Sequence, residues 1–446
     1  MNRLLKRLNA IQLLAIGFAL IILTGALLLT LPACSRDHRP IPFLDALFTA
    51  TSATCVTGLV VYDTWTQFTL LGQIILLVLS QTGGLGFMAM MVITALLLGR
   101  RIGLKERLVL MEAFSSPQLT GIVRLSRRIL LGAACAEGLG AVLLAFRFVP
   151  LFGWPRGVWY SIFHAVSAFC NAGFDLMGCY EPFGSLVPFV DDWLVCGTVM
   201  ALVLVGGIGF TVWDDLVLNG KHVSKYRLHT KVMLCGTLIL TLGGATVFFF
   251  SEQTAAMTDM NRSDRVLASL FQAVTTRTAG FNTIDQASLS PLGGSLTLLL
   301  MFIGAGAGST GGGLKVSTFA VLILSAVAYV RGREDVDLFH RRLDKGIERR
   351  ALNGALLYTA LLLCGHFLLL SCQRLGYFDA LYECVSAIGT VGMSTGVTRE
   401  LTVPSRVVIL LMMFTGRVGS LSVAMALAER RHAAQLRNPA EKLIVG

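Results

Sequence analysis

The sequence predicts an all-α polytopic membrane protein: four tandem helix–loop–helix repeats, with eight spanning helices plus four re-entrant short helices around one pseudo-fourfold axis. Three observations carry that prediction. Of 446 residues, 54% are hydrophobic and only 14% are charged, with a mean hydropathy of +0.71, whereas soluble domains carry about 25% charged residues. Apolar runs long enough to cross a bilayer alternate with shorter ones. A short string ending in glycine follows each shorter run at a nearly constant period.

Composition also excludes. A chain this apolar cannot cover itself with polar surface, so a soluble enzyme is ruled out. The net charge of +11 does not indicate nucleic acid, which needs a basic face on a soluble domain; no such domain is left over. The ten cysteines are scattered without a CxxC pair, and Cys135, Cys235 and Cys364 lie inside apolar runs as small hydrophobes. Nothing in them reads as a disulfide framework. The basic start, Met1 to Arg7, precedes an apolar run too long for a signal peptide core, so a retained first helix is expected.

A spanning helix needs about 20 apolar residues. Eight segments meet that length: 11–31, 70–98, 129–149, 193–218, 231–250, 293–330, 350–371 and 405–428. Within each successive pair lies a run too short to cross, at 42–54, 158–169, 264–276 and 377–388. The order long–short–long divides the chain into repeats at 1–98, 99–218, 219–330 and 331–446. Basic clusters set orientation, because cytoplasmic loops hold excess Lys and Arg. They are Arg100 to Arg128, Lys221 to Lys231, Arg331 to Arg350, and Arg430 to Lys442. Both termini are therefore expected in the cytoplasm of a multi-pass plasma (inner) membrane protein, with the short segments entering from outside beside Asp175, Glu181, Asp191 and Asp192.

Four strings follow or close the short runs: Phe48 to Gly58, Phe163 to Gly173, Phe271 to Gly280 and Tyr382 to Gly392. Their glycines are 115, 107 and 112 residues apart, and the period fills the chain. A half-crossing helix must return as extended backbone, and unpaired carbonyls at that depth are tolerated only where protein buries them or a watery cavity receives them. Four such stretches around one axis would present a ring of carbonyl dipoles able to replace the hydration shell of a monovalent cation. The negative C-terminal ends of four short helices would add to it. Glycine suits a backbone geometry that a Cβ would obstruct.

The fourfold helix–pore-loop–helix pattern resembles the Trk/Ktr/HKT superfamily of potassium transporters over essentially the whole chain, and is most similar to its KtrB-type membrane subunit. The strings that carry the resemblance to that family's filters are Cys55-Val56-Thr57-Gly58, Cys170-Asn171-Ala172-Gly173, Arg277-Thr278-Ala279-Gly280 and Gly389-Thr390-Val391-Gly392. The resemblance implies potassium as the transported ion, with sodium a candidate activator or co-ion. Glycine at all four sites goes with potassium preference in the family, and serine at the first with sodium transport in some plant relatives. The family further implies a membrane homodimer in contact with lipid and a cytosolic RCK-type nucleotide-binding ring docked on the basic loops. The stretch 438–446 is an expected dimer contact. No covalently bound cofactor and no nucleic acid is expected.

The second long segments carry glycine patches at Gly83 to Gly86, Gly206 to Gly209 and Gly416 to Gly419. Close helix packing through small residues accounts for such patches. The third repeat is more extreme, with Gly304, Gly306, Gly308, Ser309, Thr310, Gly311, Gly312, Gly313 and Lys315 in one run. A nucleotide loop should follow a strand, and this run interrupts an apolar helix. Six glycines, each costing up to about 1 kcal/mol in a helix interior, predict an unwound centre; in the family this stretch is a moving intramembrane gate. Arg417 lies mid-helix in the last span, and the family carries a pore-facing arginine there. Arg417 and Lys315 are expected to form an electrostatic barrier, and Arg277 and Glu383 to pair behind the ring. A pore for sodium or ammonium is the alternative transport reading. An enzyme is improbable, since the seven histidines form no HExxH and no metal-spaced pair.

Overall fold

The computed structural model describes residues 10–86, 121–333, 335–339 and 341–419. The N-terminal basic segment, most of the first basic loop, the far halves of the predicted segments 70–98 and 405–428, and the 438–446 stretch lie outside the described residues.

Each repeat begins with a long helix: α1 (Ala10–Leu29), α4 (Ile122–Phe152), α8 (Leu228–Ser251) and α12 (Lys345–Cys372). Among the described residues these four are long and apolar enough to cross a membrane. Leu27, Phe146, Ile239 and Phe367 on them are exposed, as in a chain whose solvent is hydrocarbon rather than water. The short helices follow as α2 (Phe43–Thr54), α5 (Trp154–Phe169), α9 (Arg262–Thr275) and α13 (Tyr377–Gly389). All four begin within four residues of the sequence expectation. They are buried along most of their length, and their last turns are the most deeply enclosed.

The third helix departs from expectation in three of the repeats. Segments 70–98, 193–218 and 405–428 read as uninterrupted spans, yet each stops at its glycine patch. α3 (Leu70–Gly84) is followed by Gly86 at φ +84°, α6 (Trp193–Gly207) by Gly209 at φ +109°, and α14 (Val403–Val418) by Gly419 at φ +95°. After Gly209 the chain resumes as α7 (Phe210–Asn219), bent 94° from α6. The third repeat breaks as predicted, into α10 (Pro291–Phe302) and α11 (Val316–Val330). The glycines thus both pack and terminate, because a left-handed residue ends an α-helix. Two short strands, β1 (Asp337–Leu338) against β2 (Arg341–Arg342), form the one two-stranded sheet among the described residues. It falls in the third basic loop.

The repeats close on themselves. α3 packs on α5, α6 on α9, α10 on α13, and α14 returns to α2. An ion pair between Arg406 of α14 and Asp45 of α2 joins the last repeat to the first. Within a repeat, glycine sets the approach. A Cβ on Gly83, Gly206 or Gly416 would overlap the carbonyl oxygen of Thr54, Phe169 or Ile388, each in the last turn of its own short helix.

That contact yields a stability test on protein purified in detergent. Overpacking costs about 1–3 kcal/mol, so Gly206→Ala lowers the melting temperature. Gly197→Ala in the same helix, with nothing within 4 Å of the added methyl, leaves it unchanged or raises it. Equal effects at the two positions would reject the packing role.

Candidate functional site

Each short helix delivers its last residues to a common centre. The chain leaves α2, α5, α9 and α13 through residues in the left-handed region: Val56 (φ 57°), Asn171 (φ 58°), Thr278 (φ 72°) and Thr390 (φ 50°). Two residues later come Gly58 (φ +91°), Gly173 (φ +67°), Gly280 (φ +80°) and Gly392 (φ +93°). Alternating left-handed with ordinary residues turns successive carbonyls toward one side instead of alternating them.

The four glycines meet. A Cβ on Gly58 would stand 2.7 Å from the Ala172 oxygen and 3.1 Å from the Gly173 Cα. One on Gly173 would stand 2.8 Å from the Ala279 oxygen and 3.1 Å from the Gly280 Cα. One on Gly280 would overlap the Val391 oxygen, and one on Gly392 the Thr57 oxygen, closing the ring on the first repeat. The order 1→2→3→4→1 follows the chain. Every glycine is therefore demanded twice, by its φ and by the carbonyl of the next repeat.

Hydroxyls hold this shape. Ser52, Ser167, Thr275 and Ser386 occupy the same place in the four strings. Ser52 Oγ accepts from the Gly58 N–H at 3.0 Å and Ser386 Oγ from the Gly392 N–H at 3.1 Å. Ser167 Oγ and Thr275 Oγ1 instead donate to the Phe174 and Phe281 carbonyls, both at 2.7 Å. Sequence reasoning overlooked these four, although a Ser or Thr at the fifth position of every string was visible. The third string is one residue shorter, and its turn closes sooner, with Ala279 N–H bonding the Thr275 carbonyl at 2.9 Å.

Two cavities flank the ring. One, of about 150 Å³, is lined by the four glycines and by residues beyond them, including Asp63, Asp175 and Asp285. The loop carboxyl of Asp175 is pushed up to about 7, first by burial and further by the neighbouring Asp63 carboxylate, against the pull of the Met177 N–H. Its charge at this mouth therefore grows as pH rises through neutrality. The other cavity, of about 750 Å³, includes Gly84, Gly308, Ser309, Gly311, Lys315 and Arg417 in its lining.

The glycine-rich loop between α10 and α11 lies against the side of the ring away from the acidic mouth. Methyls added to Gly311 and Gly312 would overlap the hydroxyl oxygens of Thr278 and Thr390. A doubled-back stretch, with the Gly304 N–H on the Leu314 carbonyl at 2.9 Å, carries the loop inward. Gly304 and Gly313 pack within it, and Gly306 sits against the Ile208 carbonyl. Lys315 turns back on its own loop, its Nζ donating to the Gly311 and Gly312 carbonyls at 2.8 and 3.2 Å. Arg417 donates to the carbonyls of Thr310 and Gly83, and to that of Gly84 at 3.1 Å. One guanidinium thus clamps the loop of the third repeat to the helix end of the first.

Some side chains named from sequence lie elsewhere. Arg277 and Glu383 do not pair. Arg277 leaves the ring for α8, donating to Thr241 Oγ1 at 2.7 Å, and Glu383 accepts from Ser394 and Thr398 of its own repeat at 2.9 and 2.5 Å. The two carboxylate oxygens are satisfied locally and the guanidinium points between other helices, so no ion pair forms. The Cys170 thiol likewise turns outward, to Gln81 Oε1 at 3.0 Å. Cys55, Ala172, Ala279 and Gly389 are wholly buried, so at these positions the backbone is what can face the axis.

The family profile described as "TrkH: Cation transport protein" matches residues 16–435. The chain belongs to the TrkH family of cation transport proteins. Among relatives, it is 40% identical to the Ktr system potassium uptake protein B of Bacillus subtilis, over 98% of this chain and 96% of that one. It is 38% identical to the potassium/sodium uptake protein NtpJ of Enterococcus hirae, over 100% and 99%. In fold it is similar to the potassium transporter TrkH from Vibrio parahaemolyticus, with a TM-score of 0.73 at 19% identity, covering 93% of this chain and 83% of that one. As a TrkH-family chain with four long apolar helices among its described residues, it is a membrane transporter.

The hydroxyl bracing makes a prediction for this TrkH-family site. Ser386→Ala removes the acceptor of the Gly392 N–H, worth about 1 kcal/mol, and is expected to weaken cation discrimination in competitive flux between rubidium and sodium. Ser386→Thr, which keeps the oxygen, discriminates better than the alanine variant. Unchanged discrimination in Ser386→Ala would remove the hydroxyl from the account.

Proposed function

We propose that this chain is the membrane subunit of a potassium uptake system, conducting the ion through a filter made of backbone carbonyls of 55–58, 170–173, 277–280 and 389–392. The observation that carries the reading is the closed ring in which each filter glycine abuts the carbonyl preceding the next. Carbonyl dipoles on such a ring stand in for lost hydration water, and the short helices aim their negative ends at it. Four strings of one pattern, and relatives named for potassium uptake, support the same assignment. In this reading the 99–218 and 219–330 repeats are two quarters of one pore. The short helices are re-entrant from outside, and both termini are cytoplasmic.

The gate is the 304–315 loop, held across the ion path by Arg417 and Lys315. A cation arriving from the ring meets two fixed positive groups and a plug of backbone, a barrier on both electrostatic and steric grounds. Opening then falls to a partner. A cytosolic nucleotide-binding ring acting on a homodimer of this chain would supply the opening force, in keeping with relatives named as parts of a Ktr system.

Expression in a bacterium unable to take up potassium should restore growth at low external potassium, more strongly with a ring partner than without. Uptake competition should place potassium above sodium and ammonium. A chain that rescues growth only on sodium, or not at all though it reaches the membrane, overturns the potassium assignment. A second measurement addresses the barrier. Arg417→Ala removes a charge and charge-assisted hydrogen bonds worth about 1.5–3 kcal/mol each, and should raise unstimulated rubidium flux several-fold; unchanged flux and cation preference would strike the barrier.

A further inference from the structure

We infer that Asn171 is a positioning residue that latches the glycine-rich loop to the ring, coupling loop movement to filter geometry through one side-chain amide. The inference rests on the transport reading above and deepens it.

The four residues two places before the filter glycines share a left-handed backbone, and the side chains of Asn171, Thr278 and Thr390 meet the loop. Three of them, Val56, Thr278 and Thr390, cannot reach two partners across the gap; the Thr390 hydroxyl is buried with no hydrogen-bond partner. Asn171 can. It is wholly buried. Its Oδ1 accepts from Thr310 Oγ1 at 3.1 Å, and its Nδ2 donates to Thr278 Oγ1 at 3.3 Å. One amide therefore bridges the second filter segment, the third filter segment and the loop beneath them.

Thr310 is where the loop is held. Its N–H bonds the Gly206 carbonyl at 3.2 Å, its carbonyl accepts from Arg417, and its hydroxyl reaches Asn171. The first two contacts tie the loop to helix ends; only the third ties it to the filter. The backbone alone does not require this amide, because a glycine would adopt the left-handed φ of Asn171 at no steric cost. The side chain is an addition to what the turn needs. For the loop to leave the ion path, the Thr310–Asn171 bond must break, and the amide is then left with Thr278 alone. A displaced loop is in this way registered at the filter, and an ordered filter favours the seated loop, as linkage between two equilibria requires.

The test uses the full chain in liposomes, with rubidium tracer influx normalised to inserted protein. Thr310→Val removes the hydroxyl at nearly constant volume, and Thr310→Ser keeps it. A net hydrogen bond of ordinary strength predicts about a five-fold rise in flux for Thr310→Val, with the preference for potassium over sodium retained. Thr310→Ser should return toward the wild-type value. Asn171→Gly, which also removes the bond to Thr278, should raise flux at least comparably, and the double variant Asn171→Gly/Thr310→Val no further than Asn171→Gly alone, since both changes remove the Thr310–Asn171 bond. Wild-type flux with Thr310→Val unchanged or reduced overturns the latch while leaving transport intact; so does strict additivity in the double variant. No flux from any of the chains overturns the transport reading itself, and the latch with it.

Discussion

The architecture depends on one steric constraint: no Cβ fits where the four loops meet. Gly58, Gly173, Gly280 and Gly392 each occupy a left-handed conformation while facing the carbonyl that precedes the next glycine. Backbone in that state cannot form a ladder with its neighbours, and in hydrocarbon it could not persist. It survives because the ends of α2, α5, α9 and α13 surround it, and because Ser or Thr side chains from those ends hold its N–H and C=O groups. The long helices supply the apolar exterior that lets this polar centre exist at all.

The helix breaks follow from the same demand. To bring the end of each short helix close to the axis, the third helix of its repeat must press against that end, and Gly83, Gly206 and Gly416 permit the approach. Adjacent glycines at positive φ then stop the helix, so the close contact and the break are one device used in three repeats. In the third repeat the break has expanded into a loop of its own. That loop reaches the far side of the ring, where Thr310, Lys315 and Arg417 fasten it. A chain with fourfold pattern thus acquires one unequal quarter, and the asymmetry lies where a gate would be most effective.

Much of this was legible in the residues. The four short helices, the long helix that opens each repeat and the unwound centre of 293–330 follow from run length and glycine density. What escaped were features set by tertiary packing. The stops at Gly86, Gly209 and Gly419 looked like packing glycines inside continuous spans, because hydropathy does not register φ. Arg277 and Glu383 looked like partners because both adjoin the glycine strings of successive repeats, but the loop after Gly392 folds back to supply Glu383 with hydroxyls, and Arg277 finds Thr241 on the preceding long helix. The bracing hydroxyls were in view as a repeated Ser or Thr, yet a single such residue on an apolar helix reads as neutral until its backbone partner is known.

The central claim is that the four loops form one cation site on a common axis. A density map of the protein prepared in thallium, with anomalous scattering to mark the ion, tests it most directly. The account predicts thallium on the axis among the carbonyl oxygens of Thr57, Ala172, Ala279 and Val391. Thallium found only at the acidic mouth or in the larger cavity, with none inside the ring, would contradict it.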